Sequence, residues 1–207
     1  YPAQTAISVL GLAAGFVCLS LSALWMHYEN TYDTMHKDYE RIYAFIEPSF
    51  VGYTGDAWYD NHLLARVGLY EKLRDEYPEV EAVTCCKKIM GPKIINGIEA
   101  KALQVDSTFI RVFSLPLVDG DYDFLTDEKE VAITEEFAQC LFPEDTEIIG
   151  NKVSFSHGFI AEVGAVIKDY GEHSIFQFDI VHTGSNDSHK GDLANIYAKI
   201  YEKANVD

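Results

Sequence analysis

Residues 6–26 read AISVLGLAAGFVCLSLSALWM, and no charged side chain occurs among them. All 33 acidic and all 16 basic residues of the chain follow this stretch. A helix of this length spans roughly 30 Å, which matches the hydrocarbon thickness of a bilayer. In lipid, a helix satisfies every backbone amide within one pass. The pattern predicts a transmembrane helix over residues 1–27, with Trp25, His27 and Tyr28 where an interfacial aromatic belt would lie.

A cleavable signal peptide is the alternative interpretation of this stretch. The apolar core is longer than the usual hydrophobic region of such a peptide, and no basic residue precedes it. The small-x-small candidate for cleavage, Ser20 to Ser22, lies inside the apolar run rather than after it. These features favour a membrane span.

One face of the predicted helix carries small side chains at spacings of three and four: Ser8, Gly11, Gly15, Cys18 and Ser22. Gly11 and Gly15 form a GxxxG pair, which lets another helix backbone approach closely. Small residues are also common in membrane helices that do not dimerise. This face therefore indicates that the helix packs against other protein. It is weaker evidence that the helix forms a dimer.

Residues 28–207 are long enough for one domain or two small subdomains. The net charge of -17 argues against nucleic acid and anionic lipid headgroups as partners of this surface, because both would repel it. Charge does not orient the span, since residues 1–5 contain no lysine or arginine.

The soluble part interleaves helices and strands. With no Gly or Pro between Phe16 and Glu47, the first helix is expected to continue as a stalk, unless Asp33 or Thr34 caps a second helix. Another helix is expected from Asn61 to Tyr77. Short helices are predicted at 107–113 and 135–141, and strands at 41–46, 80–89, 98–105, 131–134, 152–156, 160–168 and 176–182. For residues 196–203 the sequence predicts no clear helix or strand. This order predicts an α+β fold with a mixed sheet, in one or two subdomains.

Signatures of an active site are absent from the sequence: there is no GxGxxG, Walker A, GxSxG, HExxH or spaced metal-ligand set. Cys85 and Cys86 should point to opposite faces of a strand, and with Cys140 they are expected to be core thiols. The nearest approach to a metal cluster is a polar segment with His182, Asp187 and His189, more typical of a solvated loop. We expect no catalytic residues, cofactor or metal.

An aromatic loop is predicted at residues 49–60, with Phe50, Tyr53, Trp58 and Tyr59. Exposed aromatic side chains often carry the energy of an interface, so we hypothesise that this loop contacts a partner or substrate. The alternative is that these rings cover the edge of the domain's own core.

A series of different short motifs occurs along the chain. They are VLGLAAGF at 9–16, ENTYD at 29–33, RIY at 41–43, YPEVE at 77–81, VDSTF at 105–109, FSLPL at 113–117 before GD at 120–121, VAITE at 131–135, IGN at 149–151 and VGAV at 163–166. Together they resemble the first membrane helix and periplasmic core domain of MacB-like and FtsX-like ABC transporter permeases, of the type common in Bacteroidetes.

This resemblance implies a permease subunit of the inner membrane whose soluble domain lies in the periplasm. Three further membrane helices would follow. Such permeases pair with a second copy or homologue and recruit a cytoplasmic ABC ATPase, while the permease itself hydrolyses nothing. The resemblance also implies mechanotransmission, in which ATP hydrolysis drives export or extraction of a substrate, and contacts with membrane lipid and a periplasmic partner.

Two departures from the family pattern appear. The family continues beyond the position of Asp207, and the polar run at 184–195 stands where a longer segment is expected, so the chain is expected to be a fragment truncated at its C-terminal end. The alternative function is an extracytoplasmic ligand-sensing domain of a membrane receptor or histidine kinase. That function predicts one further span and a concave pocket with convergent polar groups.

Overall fold

The computed structural model describes residues 1–46, 65–88, 93–144, 147–156, 158–171, 173–184 and 193–202. It begins with helix α1, Pro2–Asn30, none of whose residues is buried. Among the described residues, α1 is the one helix long and apolar enough to cross a membrane. The predicted span is therefore helical from Pro2 onward, and the helix continues to Asn30.

The predicted stalk is wrong, because α1 ends at Asn30 and turns follow as far as a 3-10 turn at Tyr39–Arg41. The alternative second helix capped by Asp33 or Thr34 is not formed either. Asp33 and Asp38 have backbone φ angles of 56° and 62°, in the left-handed region that a right-handed helix excludes. Both side chains bond to elements distant in sequence, so tertiary contacts rather than Gly or Pro end the helix.

A mixed sheet organises the remainder of the described chain. The strands are Ile42–Phe45 (β1), Ala65–Arg66 (β2), Val80–Lys88 (β3), Lys93–Ile95 (β4), Ile98–Ala100 (β5), Ala102–Val105 (β6), Leu117–Gly120 (β7), Glu130–Thr134 (β8), Lys152–Ser154 (β9), Ile160–Ile167 (β10), Ile180–Thr183 (β11) and Leu193–Ile200 (β12). The order is β1-β12-β3-β6-β11-β8-β10-β7, with β2 beside β12 and β9 beside β10. β4 and β5 form a separate hairpin.

The pairs β6–β11 and β8–β10 are parallel, whereas β1–β12, β3–β12 and β3–β6 are antiparallel. The described residues also form three short helices beside the sheet: Val67–Glu76 (α2), Phe109–Val112 (α3) and Glu135–Leu141 (α4). The predicted α+β fold with a mixed sheet is confirmed.

Both faces of the central strands are buried. Along β8, Val131 and Ile133 belong to one hydrophobic cluster while Ala132 belongs to another, as the alternation of side chains in a strand requires. The first cluster includes Phe137 and Phe155. The second contains most of the buried rings of the described residues: Phe109, Phe113, Phe124, Phe176 and Tyr197. Each fully buried large apolar side chain contributes about 1.5–3 kcal/mol.

The segment at 196–203, for which the sequence predicts no clear helix or strand, contributes to a central strand of the sheet. β12 pairs with β1 on one side and β3 on the other. Ile196 and Ala198 are fully buried, and Lys199 is only 8% exposed. A buried lysine and the polar Asn195 interrupt the apolar pattern, which is why the pattern alone did not reveal the strand.

Three predicted boundaries are corrected. The strand expected at 98–105 is divided at Lys101, whose backbone N–H donates to the Asp179 carboxylate at 2.6 Å. The strand expected at 176–182 begins only at Ile180. The helix expected from Asn61 begins at Val67, because the two residues before it pair with β12 as β2; Asn61 itself lies outside the described residues.

Other predictions are confirmed. Helix α4 has the predicted bounds, and the side chain of its N-cap Thr134 accepts a hydrogen bond from the Phe137 N–H. Strands β9 and β10 pair antiparallel as the expected hairpin. Both elements depend on local signals, a cap and a turn, which sequence patterns report well.

The VDSTF motif encloses a buried carboxylate. Asp106 is 3% exposed and accepts hydrogen bonds from Thr84 Oγ1 at 2.7 Å, the Cys85 N–H at 3.1 Å and the Thr108 N–H at 3.2 Å. These bonds connect β3 to the loop between β6 and α3. The motif therefore has a structural role in this chain.

Candidate functional site

The attachment of α1 to the sheet domain is the arrangement that stands out. Asp33 lies just beyond the helix end, and its carboxylate accepts hydrogen bonds from Ser174 Oγ at 2.7 Å and the Ile175 N–H at 3.0 Å. Both donors lie in the loop between β10 and β11. We call the contacts of residues 28–38 with residues 113–114, 170–171 and 173–176 the helix–domain junction.

His173 belongs to this loop and contacts the last turn of α1. Its ring packs edge-on against Tyr28, with centroids 4.3 Å apart, and lies 4.7 Å from the ring of Tyr32. Its Nε2 is 3.1 Å from Thr31 Oγ1. The Tyr32 hydroxyl in turn donates to the Ser174 carbonyl at 3.0 Å. The helix end is therefore held by ring packing and by hydrogen bonds together.

His36 is the deepest part of the junction, at 2% exposure. Its ring lies among Phe113, Tyr170 and Phe176, with centroids 5.0, 5.1 and 6.3 Å away. Neither ring nitrogen makes a well-formed hydrogen bond with the described residues. Burial lowers the pKa of His36, and the Asp33 carboxylate and a weak contact with the Ser114 backbone oppose that shift.

A second set of contacts secures the segment after His36. The Lys37 N–H donates to Ser114 Oγ at 2.8 Å. The Asp38 carboxylate lies 2.8 Å from both Lys199 Nζ and an Arg41 guanidinium nitrogen. The hydrogen bond from Lys199 lowers the pKa of Asp38. Because these charges are partly exposed, solvent screens both pairs and each adds little to stability.

A partly open cavity of about 220 Å³ lies where the two parts meet. Tyr32, Asp33 and His36 line it from the segment after α1, and Phe113 and Tyr197 line it from the domain. Within the described part of the chain, no group of three or more His, Cys, Asp or Glu side chains is placed to hold a metal ion. The arrangement is suited to holding two elements together.

The predicted packing face of α1 lies on the helix as expected and contacts nothing in the described chain that would bury it. A Cβ added to Gly11 or Gly15 would meet no atom within 4 Å. Ser22 Oγ donates to the Cys18 carbonyl at 2.9 Å, which satisfies its hydroxyl within the helix. Packing of this face against other protein stays a prediction.

The aromatic loop at 49–60, with its four rings, lies outside the described residues, as do Asp187 and His189. His182 lies on β11, where its Nδ1 is 2.8 Å from the Thr183 carbonyl oxygen. Contact of the aromatic loop with a partner or substrate therefore stays a prediction.

The cysteine prediction holds for two residues and fails for a third. Cys85 and Cys86 are buried and belong to different clusters, on opposite faces of β3. Cys140 is exposed, because the single buried stripe of α4 includes Phe137 and Ala138 instead. Burial, with a smaller effect of the Asp106 carboxylate, raises the pKa of the Cys85 thiol to about 11.

Sequence reasoning missed His36 and the three residues 173–175 as members of a site. The sequence pattern marks Asp33 only as a helix cap and as part of the ENTYD motif. Nothing in local spacing could join it to Ser174, since 141 positions separate them.

Comparison with known proteins identifies the family to which this fold belongs. The profile of the MacB-like periplasmic core domain matches residues 5–207. No curated protein matches the chain. Among solved structures, a domain of a proposed permease protein from Porphyromonas gingivalis is similar at 19% identity and a TM-score of 0.56, covering 68% of this chain and 64% of that one.

Two further structures share the fold. The periplasmic region of MacB from Actinobacillus actinomycetemcomitans is 15% identical, with a TM-score of 0.54 over 80% of this chain and 75% of that one. The extracellular domain of the noncanonic ABC-type transporter YknZ from Gram-positive bacteria is 15% identical, with a TM-score of 0.54 over 78% and 83%. The profile covers nearly all of the chain, which therefore belongs to the MacB-like periplasmic core domain family of ABC transporter permeases.

Proposed function

We propose that the chain forms the first membrane helix and the periplasmic core of a permease subunit that acts by mechanotransmission. In this proposal residues 1–27 cross the inner membrane, and residues 28–207 form the periplasmic domain. A separate cytoplasmic ABC ATPase hydrolyses ATP and moves α1. The domain then performs periplasmic work such as export or extraction of a substrate.

The helix–domain junction is the observation that supports this proposal. A helix that transmits motion to a domain must be attached to that domain by contacts that resist displacement. Asp33 accepts bonds from two donors in one loop, and Tyr32 bonds a carbonyl of the same loop. Each such hydrogen bond contributes about 1 kcal/mol, and the packed rings of Tyr28 and His173 add to it.

The proposed assembly includes a second permease copy or homologue. The small face of α1 supports this, because close approach of two helices requires small side chains at the contact. Membrane lipid would cover the bulky face of α1, and the aromatic loop at 49–60 is proposed to contact a periplasmic partner or the substrate.

Affinity purification of the full-length protein from its native membrane tests the partnership. A stoichiometric ABC ATPase in the eluate is the expected result. Its absence, together with a kinase or receptor module on the same chain, would favour the ligand-sensing domain instead.

Coupling is tested in the purified complex by the distance between spin labels on the exposed Cys140 of two copies, with Cys18 replaced by Ala. Adding ATP should change this distance in the parent protein. Asp33→Ala should remove the change while ATP hydrolysis continues, since the motion no longer reaches the domain. Thr126→Ala, which loses an exposed bond to the Asp123 carbonyl, is the matched control. An unaltered response in Asp33→Ala would contradict mechanotransmission through the junction.

A further inference from the structure

The buried imidazole of His36 makes the helix–domain junction less stable than its packing would allow. Its two nitrogens make no well-formed hydrogen bond in the described chain, although the ring is 2% exposed, and the Ser114 backbone offsets the effect of burial only in part. A buried polar group without a partner is costly to fold. A phenylalanine would fill a site surrounded by Phe113, Tyr170 and Phe176 without that cost. The histidine therefore needs an explanation other than packing.

Backbone strain is concentrated around the same residue. Asp33 and Asp38, on either side of His36, both have positive φ angles. Among the described non-glycine residues, the third with a positive φ is Asn96, in the β4–β5 turn where such a conformation is usual. Strained residues of this kind often cluster at segments that switch between two conformations.

We propose that residues 31–39 form a proton-sensitive switch, closed on the domain while His36 is neutral and released when His36 takes up a proton. The proposal rests on the proposed function, because it describes regulation of the same junction. In the closed state α1 is attached to the domain, and in the released state α1 would no longer move the domain.

The groups around His36 determine the sign of the effect. Asp33 on its own segment is the nearby charged side chain, and its carboxylate is already bound to Ser174 and Ile175. The domain contributes the Tyr170 phenol, which donates to the Ser114 carbonyl, and aromatic rings. Beside Tyr32 lies His173, the other histidine of the junction, and its replacement serves as a control.

Burial favours the neutral ring, so the closed junction has a lower pKa for His36 than the open one. The open junction then binds the proton more readily, and closure weakens as the pH falls below about 6.5, the usual value for histidine. In the window between that value and the lower pKa of the closed state, opening is favoured by up to about tenfold per pH unit.

Hydrogen exchange of the full chain in detergent measures this opening directly. Exchange at pH 6.5 and 5.5, corrected for the intrinsic rate, is followed in peptides covering 31–39 and 173–176. The parent protein should show a several-fold rise in the opening constant at the lower pH. His36→Phe should show lower opening and no pH response, and His173→Phe should keep the response of the parent.

Exchange in β8 separates local release from global unfolding, and should not change over this pH range. If His36→Phe does not fold, His36→Gln provides a second non-titrating variant with the same expected loss of response. An equal pH response in parent and His36 variants would overturn the proposal, as would no response in the parent. The measurement needs no ATPase, so either result leaves the proposed transport function to be judged by its own test.

Discussion

Ser174 donates a 2.7 Å hydrogen bond to the carboxylate of Asp33, although 141 positions of sequence separate the two residues. Asp33 also has a left-handed backbone, which ends the run of helical conformation shortly after Asn30. One residue thus contributes both to the turn that follows the apolar helix and to the attachment of that helix to the domain. A change at Asp33 should act on the connection and leave the two connected parts intact.

Replacing Asp33 with Ala should loosen the junction. The Ser174 hydroxyl and the Ile175 N–H lose their acceptor, and we expect a local loss of about 2 kcal/mol. Hydrogen exchange at residues 173–176 should rise more than tenfold while β8 is unchanged. Asp33→Asn keeps an acceptor oxygen and tolerates a positive φ, so its effect should be intermediate. Equal exchange in all three proteins would contradict the anchoring role.

Gly11→Leu should weaken association of α1 with other protein. A large side chain on the small face prevents close approach of a second helix. Oxidative cross-linking through Cys18, on the same face, should form dimers of the parent protein in membranes and far fewer in the variant. Ala13→Leu adds a similar side chain on the opposite face and should not change the yield. Cross-linking that is insensitive to both substitutions would argue against this face.

Replacing Trp58 and Tyr59 together with Ala tests the aromatic loop. If the loop contacts a partner or substrate, the variant should melt at the same temperature as the parent and lose transport-dependent activity, because exposed rings carry interface energy. A lower melting temperature would instead show that the rings cover the domain's own core. Thermal unfolding followed by circular dichroism distinguishes these outcomes.

Gly120→Ala should destabilise the domain by about 3 kcal/mol, since it combines a positive φ with a steric clash. Gly120 has a φ of 80°, and a Cβ there would overlap the Gly164 carbonyl oxygen on β10 and lie 2.9 Å from the Ala165 Cα. Gly158 also has a positive φ, but a Cβ there would meet no atom within 4 Å, so Gly158→Ala should cost less. Urea unfolding of both variants would reveal the difference. Equal losses would show that the clash is relieved by backbone shifts.

Thiol labelling should distinguish the cysteines of the domain. Cys140 is exposed and should react with iodoacetamide at pH 8 in the folded protein. Cys85 should not react, because it is buried and its pKa is raised to about 11. Mass spectrometry after a short labelling pulse provides the readout, with denatured protein as the positive control. Fast labelling of Cys85 would indicate that β3 opens readily.

Elements with strong local signals were predicted well from the sequence. Helix α4 follows a Thr134 cap, and β9 and β10 flank a short turn, so neighbouring residues decide both. The predictions failed where distant residues compete with local preference. The stalk had no helix breaker, yet α1 ends because Asp33 and Asp38 bond to Ser174 and Lys199.

The sequence by itself determined the uncharged helix, the acidic α+β domain after it and the family, because composition, periodicity and ordered motifs are properties of the chain. Only the tertiary structure decided how the helix is attached. It placed β12 between β1 and β3, and it brought the loop at 173–175 against the helix end. Burial of His36 follows from the same folding. These contacts join residues more than a hundred positions apart, and pairing at such distance depends on the packing of the whole domain.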